Sequence, residues 1–241
     1  MRNRITNYLA LAATVALSSV FALGQAAAPS ATFNADAATL GAIPDGPSGC
    51  NAVGGTPRNV TFTVSGLTGS VSTVEVNNLT FGSPIHTWMA DVEAVLVAPN
   101  GASHTLFGRT GSTTATACGD SSDLAGPYNF TDAAAAPPSG GWWQAATAAD
   151  ASTPLASGSY RTTNIGGAGA TNPMPATTMN SSFTGVANAN GTWTLRLIDH
   201  GGGDTGAVSA ATLAITTAAG APVQHVVDYD GDGKTDFSVV R

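Results

Sequence analysis

The sequence predicts an all-β fold, an antiparallel sandwich or barrel, on three observations. Several segments alternate apolar and polar residues with a period of two. Gly, Pro, Asn and Asp separate those segments as turns. No helical periodicity of useful length follows the first 26 residues. Composition agrees: of 241 residues 29 are Gly and 13 are Pro, and only 10% are charged against a typical quarter.

The chain opens with Arg2 and Arg4, an apolar run from Tyr8 to Leu23, and small residues around Ala26. This is the pattern of a secretory signal peptide, residues 1–26, with cleavage expected after Ala26. A membrane anchor is the alternative; the short, Ala-rich run argues against it, and no other segment could span a bilayer. After cleavage 6 basic and 15 acidic residues remain. No basic patch is left to hold phosphate, so no nucleic acid is expected as a partner. The expected location is extracellular.

A turn-rich stretch runs to Pro57. In "NVTFTVS", Val60, Phe62 and Val64 share one face of a strand. "STVEVNNLTF" places Val74 and Val76 together in a second strand. "DVEAVLVAPNGASHTLF" reads as two strands joined at Pro99-Asn100-Gly101. From Thr110 to Asn190 the pattern weakens, and short strands must be hidden there, because so long a structureless loop is foreign to a compact domain. In "GTWTLRLID", Trp193, Leu195 and Leu197 alternate with Thr194, Arg196 and Ile198, and "AVSAATLAI" supplies a further strand. Residues 218–227 read as a linker. Cys50 and Cys118 are the two cysteines. In an exported chain such a pair forms a disulfide, two buried thiols being the alternative.

Four segments, in order, carry a resemblance. They are "AIPDGPSG" (42–49), "VEVNNLTFGSPIHTWMADVEAVLVAPNGASHTLFGR" (74–109), "YNFTDAAAAP" (128–137) and "SSFTGVANANGTWTLRLIDHGGGDTGAVSAATLAI" (181–215). Together they resemble the P domain (P/Homo B domain) of subtilisin-like proprotein convertases, over residues 36–217. "HTWMADVEAVLVAPNG" and "ANGTWTLRLID" are the most telling pieces; the loop from Gly166 to Thr178 departs by being richer in Gly, Ala and Thr. The resemblance implies an eight-stranded antiparallel jelly-roll sandwich. It also implies a domain that follows a Ser-His-Asp protease domain, supports its folding and stability, and is not itself catalytic. His86 is then expected to pack at a strand entrance, and Asp91 and Asp199 match Asp positions of the family.

No catalytic constellation is legible. "DTG" at Asp204 follows three glycines instead of an apolar strand and has no second copy. "GDSS" at Gly119 lacks the Gly after the serine, and neither G-x-S-x-G nor H-E-x-x-H occurs. No catalytic residue is therefore expected. Asp91, Asp199 and Asp204 either hold Ca2+ at one end of the sandwich or cap turns through backbone N–H groups; the sequence favours turn capping.

The strongest chemical signal is at the C-terminus, "DYDGDGKTD". Asp228, Asp230, Asp232 and Asp236 stand at positions 1, 3, 5 and 9, with Gly233 at position 6. The spacing begins like an EF-hand loop, but Val239 replaces the Glu needed at position 12. D-x-D-x-D-G-x-x-D before an apolar run resembles the Ca2+ loop of FG-GAP-type repeats. The four carboxylates and the Lys234 carbonyl would supply five oxygens to an ion that takes six to eight. A merely solvated acidic turn is the alternative. Residues 228–241 are thus expected to be a fragment of a calcium-binding repeat, the start of a longer array. The resulting expectation is a secreted, non-catalytic module that stabilises or targets a larger exported protein as its partner, a subtilisin-like protease being the one the resemblance implies. The alternatives are a stand-alone adhesion or carbohydrate-binding module, and a serine-type endopeptidase by family membership only. Oligomeric state is not legible.

Overall fold

The computed structural model describes residues 28–51, 53–135, 141–148 and 153–218. The signal segment and the acidic tail lie outside these residues. Two β-sheets face each other over one apolar core. The larger contains β1 (Ser30–Asn34), β2 (Gly41–Ala42), β4 (Val71–Phe81), β7 (Tyr128–Phe130), β8 (Gly158–Tyr160) and β10 (Ala207–Thr217). The smaller contains β3 (Arg58–Val64), β5 (Val92–Val97), β6 (Ser103–Gly108) and β9 (Gly191–Asp199).

The order in space is β1-β10-β4-β7-β8 in one sheet and β3-β9-β5-β6 in the other, with β2 also paired to β10. β1 and β2 border the same strand on either side of a one-turn 3-10 helix, Ala37–Thr39. Taken as one interrupted strand, and with β8 set aside as an added edge, they leave eight strands. Numbered in chain order these run 1-8-3-6 and 2-7-4-5, the double Greek key of a jelly roll. The sandwich is therefore the all-β fold expected, with one correction. β7 and β8 pair in parallel, so the sheets are not wholly antiparallel. β1 begins at Ser30, ahead of Asp36, where the resemblance starts.

Alternation decides which residues meet across the sandwich. Val60, Phe62 and Val64 from β3, Val92, Ala94 and Leu96 from β5, and Trp193, Leu195 and Leu197 from β9 are all buried. Successive side chains of a strand point to opposite faces, so each set lands on one side. β4 breaks this rule. Val74 and Val76 are buried, and so are Leu79 and Phe81, on the opposite parity. An irregularity in the pairing with β7, between Val76 and Leu79, reverses the phase. Asn78 sits there in the left-handed region at φ 54°, and its N–H is taken by the Asn129 side chain at 2.9 Å. Asn tolerates that backbone better than other non-glycine residues.

The weakly patterned stretch hides more than strands. Helix α1 (Trp142–Ala148) drives Trp142, fully buried, into an aromatic cluster with Phe107, Tyr128, Phe130 and Tyr160 at ring separations of 4.6–5.2 Å. Its indole N–H donates to Thr110 Oγ1 at 3.2 Å. Helix α2 (Met179–Phe183) is too short to hold itself. Asp132, distant in sequence, accepts the N–H groups of Met179 and Asn180 at 2.8 and 2.9 Å, satisfying two donors that a helix start leaves free.

Candidate functional site

The loops at one end of the sandwich bring three of the four resembling segments together. β5 and β9 are central neighbours, with Val92 opposite Asp199 and Glu93 opposite Ile198. His86, just before β5, lies against Asp199 at the end of β9: Nε2 is 3.1 Å from Oδ2, and both side chains are wholly buried. Trp88 donates its backbone N–H to His86 Nδ1 at 3.3 Å, which leaves the ring proton on Nε2 for Asp199. The other Asp199 oxygen accepts the Gly201 N–H at 2.9 Å. The first segment closes over this pair. Gly46 packs so tightly on the Asp199 carbonyl that a Cβ there would stand 2.7 Å from it, and Asp45 accepts the Gly203 N–H at 3.0 Å. A buried carboxylate is tolerated when its oxygens are hydrogen-bonded, and each oxygen of Asp199 has a partner.

Asp91 does not. It lies in the 3-10 turn Met89–Asp91 that feeds β5 and is 6% exposed, yet no described residue hydrogen-bonds its carboxylate. Burial, reinforced by the charge of Asp199, pushes its pKa up to about 6. A Cβ at Gly201 would overlap the Asp91 carboxylate, so only glycine permits this approach of the β9–β10 turn. The carboxylate borders a cavity of about 200 Å3 lined by Gly49, Cys50, Trp88, Cys118, Gly201, Gly202 and Asp204. Asp204 accepts the Thr87 hydroxyl at 2.7 Å. Cys50 and Cys118 form the expected disulfide, Cα atoms 4.9 Å apart, and make one wall of the cavity.

The structure thus divides the three aspartates that the sequence grouped. Asp199 is committed to His86 and Gly201, and Asp91 and Asp204 face the cavity. Among the described residues no three His, Cys, Asp or Glu side chains converge as a metal cluster. Of the three, Asp199 accepts a backbone N–H, that of Gly201, as turn capping requires; Asp204 accepts the Thr87 hydroxyl, and Asp91 accepts no hydrogen bond from a described residue. A second His–carboxylate contact, His200 Nε2 to Glu93 Oε2 at 2.9 Å, lies nearby and was not foreseen. The residues of the acidic tail, Asp228, Asp230, Asp232, Lys234 and Asp236, lie outside the described residues.

A second feature is a groove of about 680 Å3 on the edge of β6, lined by Ser103, His104, Arg109 and the Gly-rich segment from Thr163 to Ala170. This is the segment in which the sequence departs from the resembling pattern. His104 Nδ1 is 2.8 Å from Ser182 Oγ, the one Ser–His contact among the described hydrogen bonds. Its Nε2 meets the hydroxyls of Thr162 and Thr177 at 2.9 and 3.2 Å. A Ser-His-Asp triad needs a carboxylate at that nitrogen, and Asp132, which acts on this ring only through its charge, is occupied with α2. Burial lowers the His104 pKa, as it does for a satisfied interior histidine.

No family model and no curated protein matches the chain. Among solved structures it is similar to a chain in the crystal structure of the Aeromonas sobria serine protease and chaperone complex. That likeness has a TM-score of 0.39 and 15% identity, and it covers 78% of this chain and 26% of that one. The chain therefore spans about a quarter of the length of the chain it matches.

Proposed function

We propose that this chain is a secreted, non-catalytic P-domain-like module that stabilises or targets a larger exported protein, a subtilisin-like protease being the partner the sequence resemblance implies. One observation carries the reading. The two most telling segments, "HTWMADVEAVLVAPNG" and "ANGTWTLRLID", stand far apart in sequence. They lie side by side as β5 and β9, joined at their ends by the buried His86–Asp199 pair. Residues that resemble one family thus form one structural unit instead of scattered coincidences. The disulfide suits an oxidising compartment. The acidic tail adds a Ca2+ loop of Asp228, Asp230, Asp232, the Lys234 carbonyl and Asp236; an ion bound there orders the tail and leaves the melting of the sandwich unchanged.

A fluorophosphonate serine probe and a glycan array, applied to the purified chain, test the reading. Neither labelling nor saturable glycan binding is expected. Labelling of Ser182 that disappears in His104→Ala would make the chain an enzyme, and saturable glycan binding would make it a carbohydrate-binding module. For the tail, isothermal titration of Ca2+ should lose one site in Asp232→Ala/Asp236→Ala.

A further inference from the structure

We propose that the cavity between the Cys50–Cys118 disulfide and the turn from Gly201 to Asp204 is a Ca2+ site, held by the carboxylates of Asp91 and Asp204 with backbone carbonyls of the loops around it. It is separate from the tail loop and does not depend on it.

The argument begins with Asp91. A carboxylate 6% exposed that accepts no hydrogen bond from a described residue is a group for which the fold alone has no use. It borders a cavity of about 200 Å3, roomy enough for an ion that keeps some of its water. Asp204, the other carboxylate lining the cavity, has one oxygen taken by Thr87 and the second without a hydrogen-bond partner among the described residues. Two carboxylates facing one space repel each other unless a cation lies between them.

The donors available decide which cation. Among the residues lining the cavity, Asp91 and Asp204 carry the side chains able to ligate a cation, both through oxygen. Both cysteine sulfurs are bonded to each other, and His86 has committed both ring nitrogens. Oxygen-only surroundings select a hard ion over zinc or copper. Between the hard divalent ions, irregular loops with mixed carboxylate and carbonyl oxygens suit Ca2+, since Mg2+ demands near-ideal octahedral geometry and gives up water reluctantly. Gly201 makes the arrangement possible, because any side chain there would occupy the place of the Asp91 carboxylate. The disulfide ties together the loops that carry Cys50 and Cys118, two walls of the site, before the ion arrives.

The test uses the full chain carrying Asp232→Ala/Asp236→Ala, so that the tail is silent. Thermal melting with Ca2+ and with chelator reads the sandwich itself. A ligand at roughly 100 times its Kd should raise Tm by about 5 °C or more in a chain of this size. Asp91→Asn in the same background should abolish the shift, and Asp204→Asn, at a less buried position, should weaken binding about 100-fold. Mg2+ at equal concentration should give less than half the shift. The proposal fails if Ca2+ leaves Tm unchanged in the tail-silent chain, or if the shift survives Asp91→Asn. Should Asp91→Asn not fold, the Asp204→Asn titration decides alone, and unchanged affinity overturns the site. Loss of the tail site and loss of this one are read separately, one by titration and one by melting.

Discussion

The aromatic interior around Trp142 and the loop end around Asp91 are buried to similar degrees but built on different physics. Trp142 touches four aromatic rings and places its one polar atom on Thr110. Everything there is favourable as it stands, through area removed from water and ring geometry. At the loop end His86 and Asp199 satisfy each other, while Asp91 accepts no hydrogen bond from a described residue and is acted on by burial and by Asp199 and Asp204, opposed by His86 and His200, with Arg109 interacting through charge. The first region is finished by folding. The second keeps a buried carboxylate whose pKa burial and a neighbouring carboxylate raise, and function is more often found in such places than in a relaxed core.

That contrast can be broken by mutation. The largest effect should come from Trp142→Ala, which empties the centre of the aromatic cluster. It should cost about 4–5 kcal/mol in urea unfolding, with or without Ca2+. Next is Cys50→Ser/Cys118→Ser. The bridge spans 68 residues, and its removal should cost about 4 kcal/mol; it should also flatten the Ca2+ response, since two walls of the cavity lose their tie. His86→Ala leaves Asp199 buried without its partner and should cost about 3 kcal/mol. A loss below about 1 kcal/mol would mean that water reaches Asp199.

The smallest effect has the opposite sign. The Asp91 carboxyl titrates at about 6 in the folded chain against 3.8 for an ordinary aspartate. A carboxyl with a raised folded pKa binds its proton more tightly in the native state. Its favourable contribution is therefore fully present below about 3.8 and is lost as pH rises through about 6. The groups acting on it are Asp199 and Asp204, which raise the value, and His86 and His200, which lower it; the Arg109 guanidinium also interacts with it through charge. In chelator the parent chain should thus lose about 2–3 kcal/mol between pH 4 and pH 7 relative to Asp91→Asn. At pH 7 without metal the variant should be the more stable protein. Equal stability across that pH range would show that Asp91 is solvated and would remove the contrast between the two regions.

The two regions also differ in how far they could be read in advance. β3, β5 and β9 were legible because a half-buried strand needs nothing but alternation, and Val60, Leu96 and Trp193 fall on the side that alternation assigns. β4 was legible only to Val76, since the irregularity near Asn78 reverses its phase. β7 and β8 have three residues each, too few for any period to show. Helix α1 escaped notice because its burial rests on Trp142 entering a space made by β6, β7 and β8. At the loop end Asp91, Asp199 and Asp204 stood out as acids near strand ends, but nothing local separates a satisfied aspartate from an orphaned one. Glu93 and His200 gave no signal at all, because their contact depends on the register of β5 against β9.

Sequence alone determined the class of this fold and pointed to the bond between its two cysteines. Period-two alternation and glycine and proline turns are local properties, and together they argue for strands without help from the rest of the chain. Only the tertiary structure decided which partners the buried acids have. Whether a carboxylate ends beside a histidine, under a backbone N–H or against an open cavity is set by which loops arrive at the same end of the sandwich. That depends on a jelly-roll strand order that places distant segments side by side. His86 reached Asp199 by that route; Asp91, on the same loops, was given no hydrogen-bond donor by any described residue.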